Sequence, residues 1–207
     1  MAIFYLVRHG VTEWNRERRI QGQLDVELTE EGREQARRAG RALVGEGIEY
    51  IYTSDLSRAR ETARIIAAEL QIPIAGSRRE LREIDFGRWE GLGIEEIGEK
   101  DPEVYARWRE NRIEMPTPGG ESFRMLADRS VKCIDHLAAK HPQDKMVVVT
   151  HGGPIIHILG AIMKEDLKKQ PLFRIANCSI TTVTYNPAED DWQILAVNDI
   201  RHLNGDK

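Results

Sequence analysis

Ile3-Phe4-Tyr5-Leu6-Val7-Arg8-His9-Gly10 is an apolar run that stops abruptly on a guanidinium, an imidazole and a glycine. Its length and β-rich composition predict a buried strand, and Gly10 frees the backbone to turn at the carboxyl end. His9 therefore stands at a strand tip. In open α/β sheets the crevice beyond the strand tips is where ligands bind, so an Arg8 and His9 pair delivered there points to an anion. Arginine offers a charged fork that matches phosphate, and an imidazole near neutral pH can serve as nucleophile, base or acid.

The construction recurs. Met146-Val147-Val148-Val149 is a second short apolar run, and it ends in Thr150-His151-Gly152-Gly153. Between the two, Tyr50-Ile51-Tyr52-Thr53 leads into Ser54-Asp55-Leu56-Ser57-Arg58, the pattern of a strand, a polar turn and the first turn of a helix. Cations near a helix N-terminus are disfavoured unless an anion compensates them, which singles out Arg58 over Arg60 and Arg64, read as solvated face residues. If the strands are parallel neighbours, Arg8, His9, Arg58 and His151 converge on one crevice with surplus positive charge. A phosphoryl group is the natural guest.

At these residues the chain resembles the histidine phosphatase superfamily, the phosphoglycerate-mutase-like proteins named for an Arg-His-Gly signature. The matching motifs are Leu6-Val7-Arg8-His9-Gly10 with Thr12 and Asn15, Tyr52-Thr53-Ser54 through Arg58-Ala59, Leu81-Arg82-Glu83-Ile84, and Thr150-His151-Gly152. They occur in the family's order from the first strand to the last third of the chain. The resemblance implies a three-layer α/β/α sandwich with a mostly parallel sheet, built as one domain over residues 1–207. It also implies the phosphatase branch, similar to broad-specificity phosphatases and α-ribazole phosphatase, with a phosphohistidine intermediate on His9. In that reading Arg8, Arg58 and His151 hold the phosphoryl oxygens, Asn15 contacts phosphate, and Glu83 is the general acid and base. Thr12, Gln21, Gly22 and Gly152 complete the expected substrate contacts. The residues alone leave Glu83 and Asp85 nearly tied, with Glu80 and Glu90 as further rivals; only the resemblance separates them.

At 207 residues the chain suits one domain with a modest insertion. With 41% hydrophobic and 31% charged residues it has an ordinary soluble composition. Its net charge of −4 gives no global attraction for nucleic acid or anionic membrane, so phosphate affinity must be local. The expected partner is a small phosphorylated metabolite, with no nucleic acid and no membrane; monomer and homodimer stay open. Two cysteines, Cys133 and Cys178, without a Cys-x-x-Cys pattern favour a reducing compartment. No signal-peptide pattern precedes Ile3, and the expected location is cytoplasmic.

Thr29 reads as the N-cap of a helix running to about Val44, and Leu56 to Leu70 as a second helix. Ile20 to Asp25 has no period and is read as an active-site loop. Ile72-Pro73-Ile74 reads as a short strand. Residues 80–91 read as a loop held against the pocket, and 94–111 have helical spacing before Met115-Pro116-Thr117-Pro118-Gly119-Gly120 breaks the chain. The stretch of about 88–121 is assigned to a lid or insertion. A long helix opens at Glu121-Ser122-Phe123 and closes at His141-Pro142, and Pro154 to Met163 forms an apolar one. Cys178 to Tyr185 and Trp192 to Val197 read as a closing hairpin.

Six histidines raise the question of a metal, but there is no His-Glu-x-x-His, and an arginine pair already neutralises phosphate. The expectation is catalysis with no metal and no cofactor. Trp14, Trp89, Trp108, Met115 and Phe123 are more often core packing than an apolar entrance. Two rival functions stand beside the phosphatase. A 2,3-bisphosphoglycerate-dependent phosphoglycerate mutase resembles a longer chain with Arg-His-Tyr-Gly after its acid, whereas Glu83 here is followed by Ile84-Asp85-Phe86-Gly87. A non-catalytic phosphate-binding module would lack a nucleophile, an acid or an arginine, and all three are present.

Overall fold

A computed structural model describes residues 1–167 and 174–204. Its strands are β1 (Ala2–Arg8), β2 (Tyr50–Ser54), β3 (Ile74–Arg78), β4 (Lys145–Thr150), β5 (Ile180–Asn186) and β6 (Asp191–Asp199). Its α-helices are α1 (Glu13–Arg16), α2 (Glu30–Ala42), α3 (Ser57–Leu70), α4 (Ile94–Lys100), α5 (Pro102–Asn111), α6 (Phe123–Lys140) and α7 (Gly152–Ile162). The strands form one sheet in the order β3-β2-β4-β1-β5-β6. β3, β2, β4 and β1 are mutually parallel, and the β5–β6 hairpin closes the sheet with β5 antiparallel to β1.

Alternate side chains of the central strands feed opposite layers, the period-two geometry of a strand. Phe4, Leu6, Tyr52, Met146 and Val148 pack with Ile134 and Leu137 of α6 and Ile155 and Ile158 of α7. Tyr5, Val7, Ile51, Val147 and Val149 pack with Ala36 and Ala39 of α2 and Ala59, Ala63 and Ile66 of α3. Burial on both faces explains why β1 and β4 are continuous apolar runs rather than alternating ones. The result is the expected three-layer sandwich. At about 1.5–3 kcal/mol for each large apolar side chain buried, these two clusters supply the main drive for folding.

Register positions the site. Val7 pairs with Val149 and Arg8 with Thr150, so β1 and β4 end level, and the His9 amide donates to the Thr150 carbonyl at 2.9 Å. Thr53 of β2 also pairs with Val149, which sets Ser54 beside the same edge.

Three local expectations are corrected. The strand expected at Ile72-Pro73-Ile74 is instead Ile74–Arg78. Helix α3 ends on Gln71 in a left-handed conformation, and Pro73, having no N–H, cannot donate to a ladder; pairing begins where donors return. The helical stretch 94–111 is two helices, because Pro102 cannot continue α4 and starts α5 at its first turn. Helix α7 begins at Gly152, two residues before Pro154.

A third apolar cluster lies under residues 88–121: Trp89, Ile97 and Trp108, with Ile20, Phe86, Val104, Tyr105, Met115 and Phe123 against them. Trp89, Trp108 and Met115 are thus packing, as their structural reading had it.

Candidate active site

His9 and His151 sit one residue beyond β1 and β4, and their ring centroids are 5.1 Å apart. The two rings are held differently. His9 Nδ1 meets the Gly10 carbonyl oxygen at 2.8 Å; a carbonyl only accepts, so Nδ1 carries the proton and Nε2 keeps its lone pair. His151 Nε2 lies 2.9 Å from Ser54 Oγ. Ser54 Oγ also accepts from the Leu56 amide, and when its own hydrogen goes to Nε2 the proton of His151 resides on Nδ1, the nitrogen left for an oxyanion.

Arg58, in the first turn of α3, is fully buried. Its Nη1 donates to the Leu24 carbonyl and its Nη2 to the Gly22 carbonyl, each at 2.7 Å. Arg8 Nη1 donates to the Ile175 carbonyl at 2.6 Å. These bonds fix both guanidinium groups and leave Arg8 Nε, Arg58 Nε and His151 Nδ1 as buried nitrogens with no protein acceptor. Leaving a buried donor unpaired costs about 1–3 kcal/mol, a cost an oxyanion removes.

Burial holds His9 and His151 well below the ordinary imidazole value of 6.5, with Arg58 and Arg8 adding like-charge repulsion to both. Both rings are therefore neutral. Burial also lowers Arg58 to about 10 and Arg8 below its ordinary value, yet both stay cationic near neutrality.

A cavity of about 250 Å³ joins these groups, lined by Arg8, His9, Asn15, Gln21, Gly22, Arg58, Glu83 and Gly153. Arg19, Ile20, Ile84, Phe86 and Phe123 form the rest of its wall. Of the four carboxylates weighed from sequence, Glu83 alone is in this lining. Its Oε1 accepts from the Ile84 amide at 3.0 Å and its Oε2 from the Gly153 amide at 3.2 Å. Glu80 is exposed, Asp85 caps the Gly87 amide, and Glu90 accepts from the Gln23 and Phe86 amides.

Thr12 and Gly152 stand behind the wall rather than in it. Thr12 is the fully buried N-cap of α1, bonded to Asn15 and Gln21. Gly152 opens α7, where an added Cβ would reach the Arg8 guanidinium at 3.7 Å. Of the apolar residues weighed as an entrance, only Phe123 lines the cavity.

Sequence reasoning missed Gly153, Ser54 and Asn177. Gly153 approaches the Glu83 carboxylate so closely that a Cβ would strike it, and the doubled glycine after His151 was the available signal. Asn177 Nδ2 donates to the His9 carbonyl at 2.9 Å and to Asn15 Oδ1 at 3.1 Å, and nothing in the sequence announced it. Among the described residues no group of three or more His, Cys, Asp or Glu side chains is placed to hold a metal ion, and no helix is long and apolar enough to cross a membrane.

Known proteins share the sequence pattern and the fold of this chain. The sequence model of the histidine phosphatase superfamily (branch 1) matches residues 4–200. The phosphoglycerate mutase-like protein 4 of Arabidopsis thaliana is 40% identical over 204 residues, covering 98% of this chain and 87% of its own length. The metal-independent phosphoserine phosphatase of the same plant is 36% identical over 201 residues, covering 96% and 82%. The solved structure of Bacillus stearothermophilus YhfR superposes with a TM-score of 0.89 at 31% identity, covering 99% of this chain and all of that one, 100%.

Proposed function

Since the chain belongs to the histidine phosphatase superfamily, a family of phosphatase and mutase enzymes, we propose that it is a metal-independent phosphomonoesterase acting on a small phosphorylated metabolite. The observation that carries this reading is the set of three unpartnered buried nitrogens, Arg8 Nε, Arg58 Nε and His151 Nδ1, beside a neutral His9 whose Nδ1 is already committed.

In the first step His9 Nε2 attacks phosphorus, forming a P–N bond as the ester P–O bond breaks. Charge on the three equatorial oxygens is met by Arg8, Arg58 and His151, donors fixed before the reaction begins. Asn15 adds a fourth. Its Oδ1 accepts from the Thr12 amide and from Asn177, which leaves the Nδ2 hydrogens for the cavity. Glu83 gives its proton to the departing alkoxide, a contribution of about 10²–10⁴-fold. In the second step the Glu83 carboxylate takes a proton from water, which attacks the phosphohistidine, breaks the P–N bond and releases inorganic phosphate. The cationic pair already offsets the phosphate charge, so no metal ion is required.

Residues 88–121 serve as a lid, supported by their separate apolar cluster and by Phe86 and Phe123, which flank that segment and line the cavity. The reading places the protein in the cytoplasm, a compartment suited to the two buried free thiols Cys133 and Cys178.

The test is release of inorganic phosphate from a panel of phosphorylated metabolites by the native protein and by His9→Ala, with acid-labile phosphoenzyme trapped by quenching. Unchanged release in His9→Ala would remove the mechanism. The 40% relative's name supports a mutase as the second reading. Rapid interconversion of phosphoglycerates in the presence of the bisphosphate, with little free phosphate, would establish that one instead.

A further inference from the structure

Arg129, in the middle of α6, has five N–H groups and uses all of them. Nε and Nη2 form a two-bond fork with the Glu121 carboxylate, both at 2.8 Å. Nη1 donates to the carbonyls of Glu80 at 2.7 Å and Arg82 at 2.6 Å, and Nη2 also donates to the carbonyl of Glu83 at 2.8 Å. Glu121 completes a loop. Its Oε2 accepts from the Asp85 amide at 3.0 Å, and its own amide donates to the Asp85 carbonyl at 2.8 Å.

The segment so gripped is also anchored by Thr150 Oγ1 on the Leu81 carbonyl, by the Arg82 fork on Asp55 and by Gln23 Nε2 on the Glu83 carbonyl at 3.3 Å, but Arg129 alone bonds three of its carbonyls at once. After the single 3₁₀ turn Arg79–Leu81 the backbone makes no ladder, and its carbonyls must find donors elsewhere. One guanidinium, itself only 18% exposed, supplies three of them from a helix rooted in the core. The Glu83 side chain is then completed by the Ile84 and Gly153 amides, so its carboxylate is located from both ends.

We propose that Arg129 is the positioning residue for the general acid, setting the place of Glu83 relative to the leaving oxygen without touching substrate itself. The inference rests on the assignment of Glu83 as acid and names the device that makes it effective. Misplacing a catalytic group by about 1 Å can cost on the order of 10²-fold. That loss has a signature: it scales with the need for a proton. A p-nitrophenolate departs readily unprotonated, whereas an alkoxide does not.

The experiment measures kcat/KM, which reports the phosphorylation step, for p-nitrophenyl phosphate and for an alkyl phosphate such as β-glycerophosphate. Native protein, Glu83→Gln, Arg129→Lys and Glu121→Gln are compared. Lysine keeps the charge but offers three donors from one point and cannot span a carboxylate and three carbonyls. Arg129→Lys is expected to lose about 10–100-fold on the alkyl ester and less than about threefold on the nitrophenyl ester. Glu121→Gln, which weakens the fork and the bond to the Asp85 amide but leaves the three carbonyl bonds of Arg129, should show the same bias on a smaller scale. The double variant Glu83→Gln/Arg129→Lys should be no worse on the alkyl ester than Glu83→Gln alone. Equal losses on both esters, or none, with Glu83→Gln still biased, would overturn the inference while leaving the acid in place. A Glu83→Gln variant without bias would remove the acid assignment and the inference with it.

Discussion

The rings of His9 and His151 lie 5.1 Å apart, both buried, with Arg8 and Arg58 beside them, and the same surroundings that prepare them for chemistry weaken the fold in acid. Each ring has its folded value held well below 6.5 by burial first and the two arginines second. The unfolded chain therefore takes up protons below about pH 6.5 that the folded chain refuses. Stability is flat above that value and falls as pH drops through it, by up to about 1.4 kcal/mol per pH unit for each ring. Urea unfolding at pH 7.5 and pH 5.5 should show the native protein losing stability, and a His9→Gln/His151→Gln variant losing clearly less. His202, also lowered by burial, keeps its own share in both proteins. Parallel losses in the two would show that these rings do not titrate as assigned.

Arg58 spends two of its donors on the Gly22 and Leu24 carbonyls, so it builds the loop that walls the cavity as well as facing the phosphoryl group. Arg58→Lys keeps a cation but cannot bridge both carbonyls and still present a donor. Removing one preorganised donor costs about 10²–10³-fold in kcat, and that is the loss expected here. Inhibition by vanadate should weaken in parallel. A lysine variant with native vanadate affinity would show that the charge alone suffices.

Most of this site was legible in the chain because the sheet made it so. Strand tips that carry Arg-His-Gly and His-Gly must lie side by side once β1 and β4 pair in register, and that pairing follows from two apolar runs of similar length. Arg58 was legible for the same reason as its charge: a cation in a first helical turn contradicts the helix dipole unless something anionic answers it. The wall was not. Arg19, Ile20 and Phe86 come from stretches with no period; Ile20 and Phe86 are placed by long-range packing in the Trp89 and Trp108 cluster, and Arg19 by its bond to the Gly91 carbonyl. Asn177 and Arg129 were hidden for a different reason. Each donates to backbone carbonyls as well as to a side chain, and a carbonyl leaves no mark in a sequence.

Gly153 and Gly152 offer a contrast one residue apart. A Cβ on Gly153 would run into the Glu83 carboxylate and crowd Leu126, whereas one on Gly152 meets nothing closer than the Arg8 guanidinium at 3.7 Å. Gly153→Ala is expected to displace Glu83 and lower kcat/KM for alkyl phosphates by about 10²-fold, the cost of a misplaced catalytic group. Gly152→Ala should cost far less, being in ordinary contact at the start of a helix. Steady-state kinetics of the two variants decide it, and equal losses would mean that the close approach at Gly153 has no bearing on the acid.

The orientation of the Asn15 amide is fixed by two neighbours that leave no choice. The Thr12 amide can only donate, so the atom facing it at 3.1 Å is Oδ1. Asn177 Nδ2 also bonds the His9 carbonyl, which can only accept, so it too presents N–H to Asn15 Oδ1. Asn177→Ala removes one of these two constraints and is expected to weaken vanadate inhibition about 3–10-fold, the value of a single hydrogen bond. Asn177→Asp goes further. Its carboxylate has no donor, so it attracts the Asn15 Nδ2 hydrogens away from the cavity and adds a negative charge beside a bound oxyanion; a loss above about 30-fold follows from a charged hydrogen bond reversed in sign. Because the effect of the alanine variant runs through Asn15, it should nearly vanish when Asn15 is already alanine. Full additivity in that cycle would show that Asn177 acts on the backbone of His9 alone.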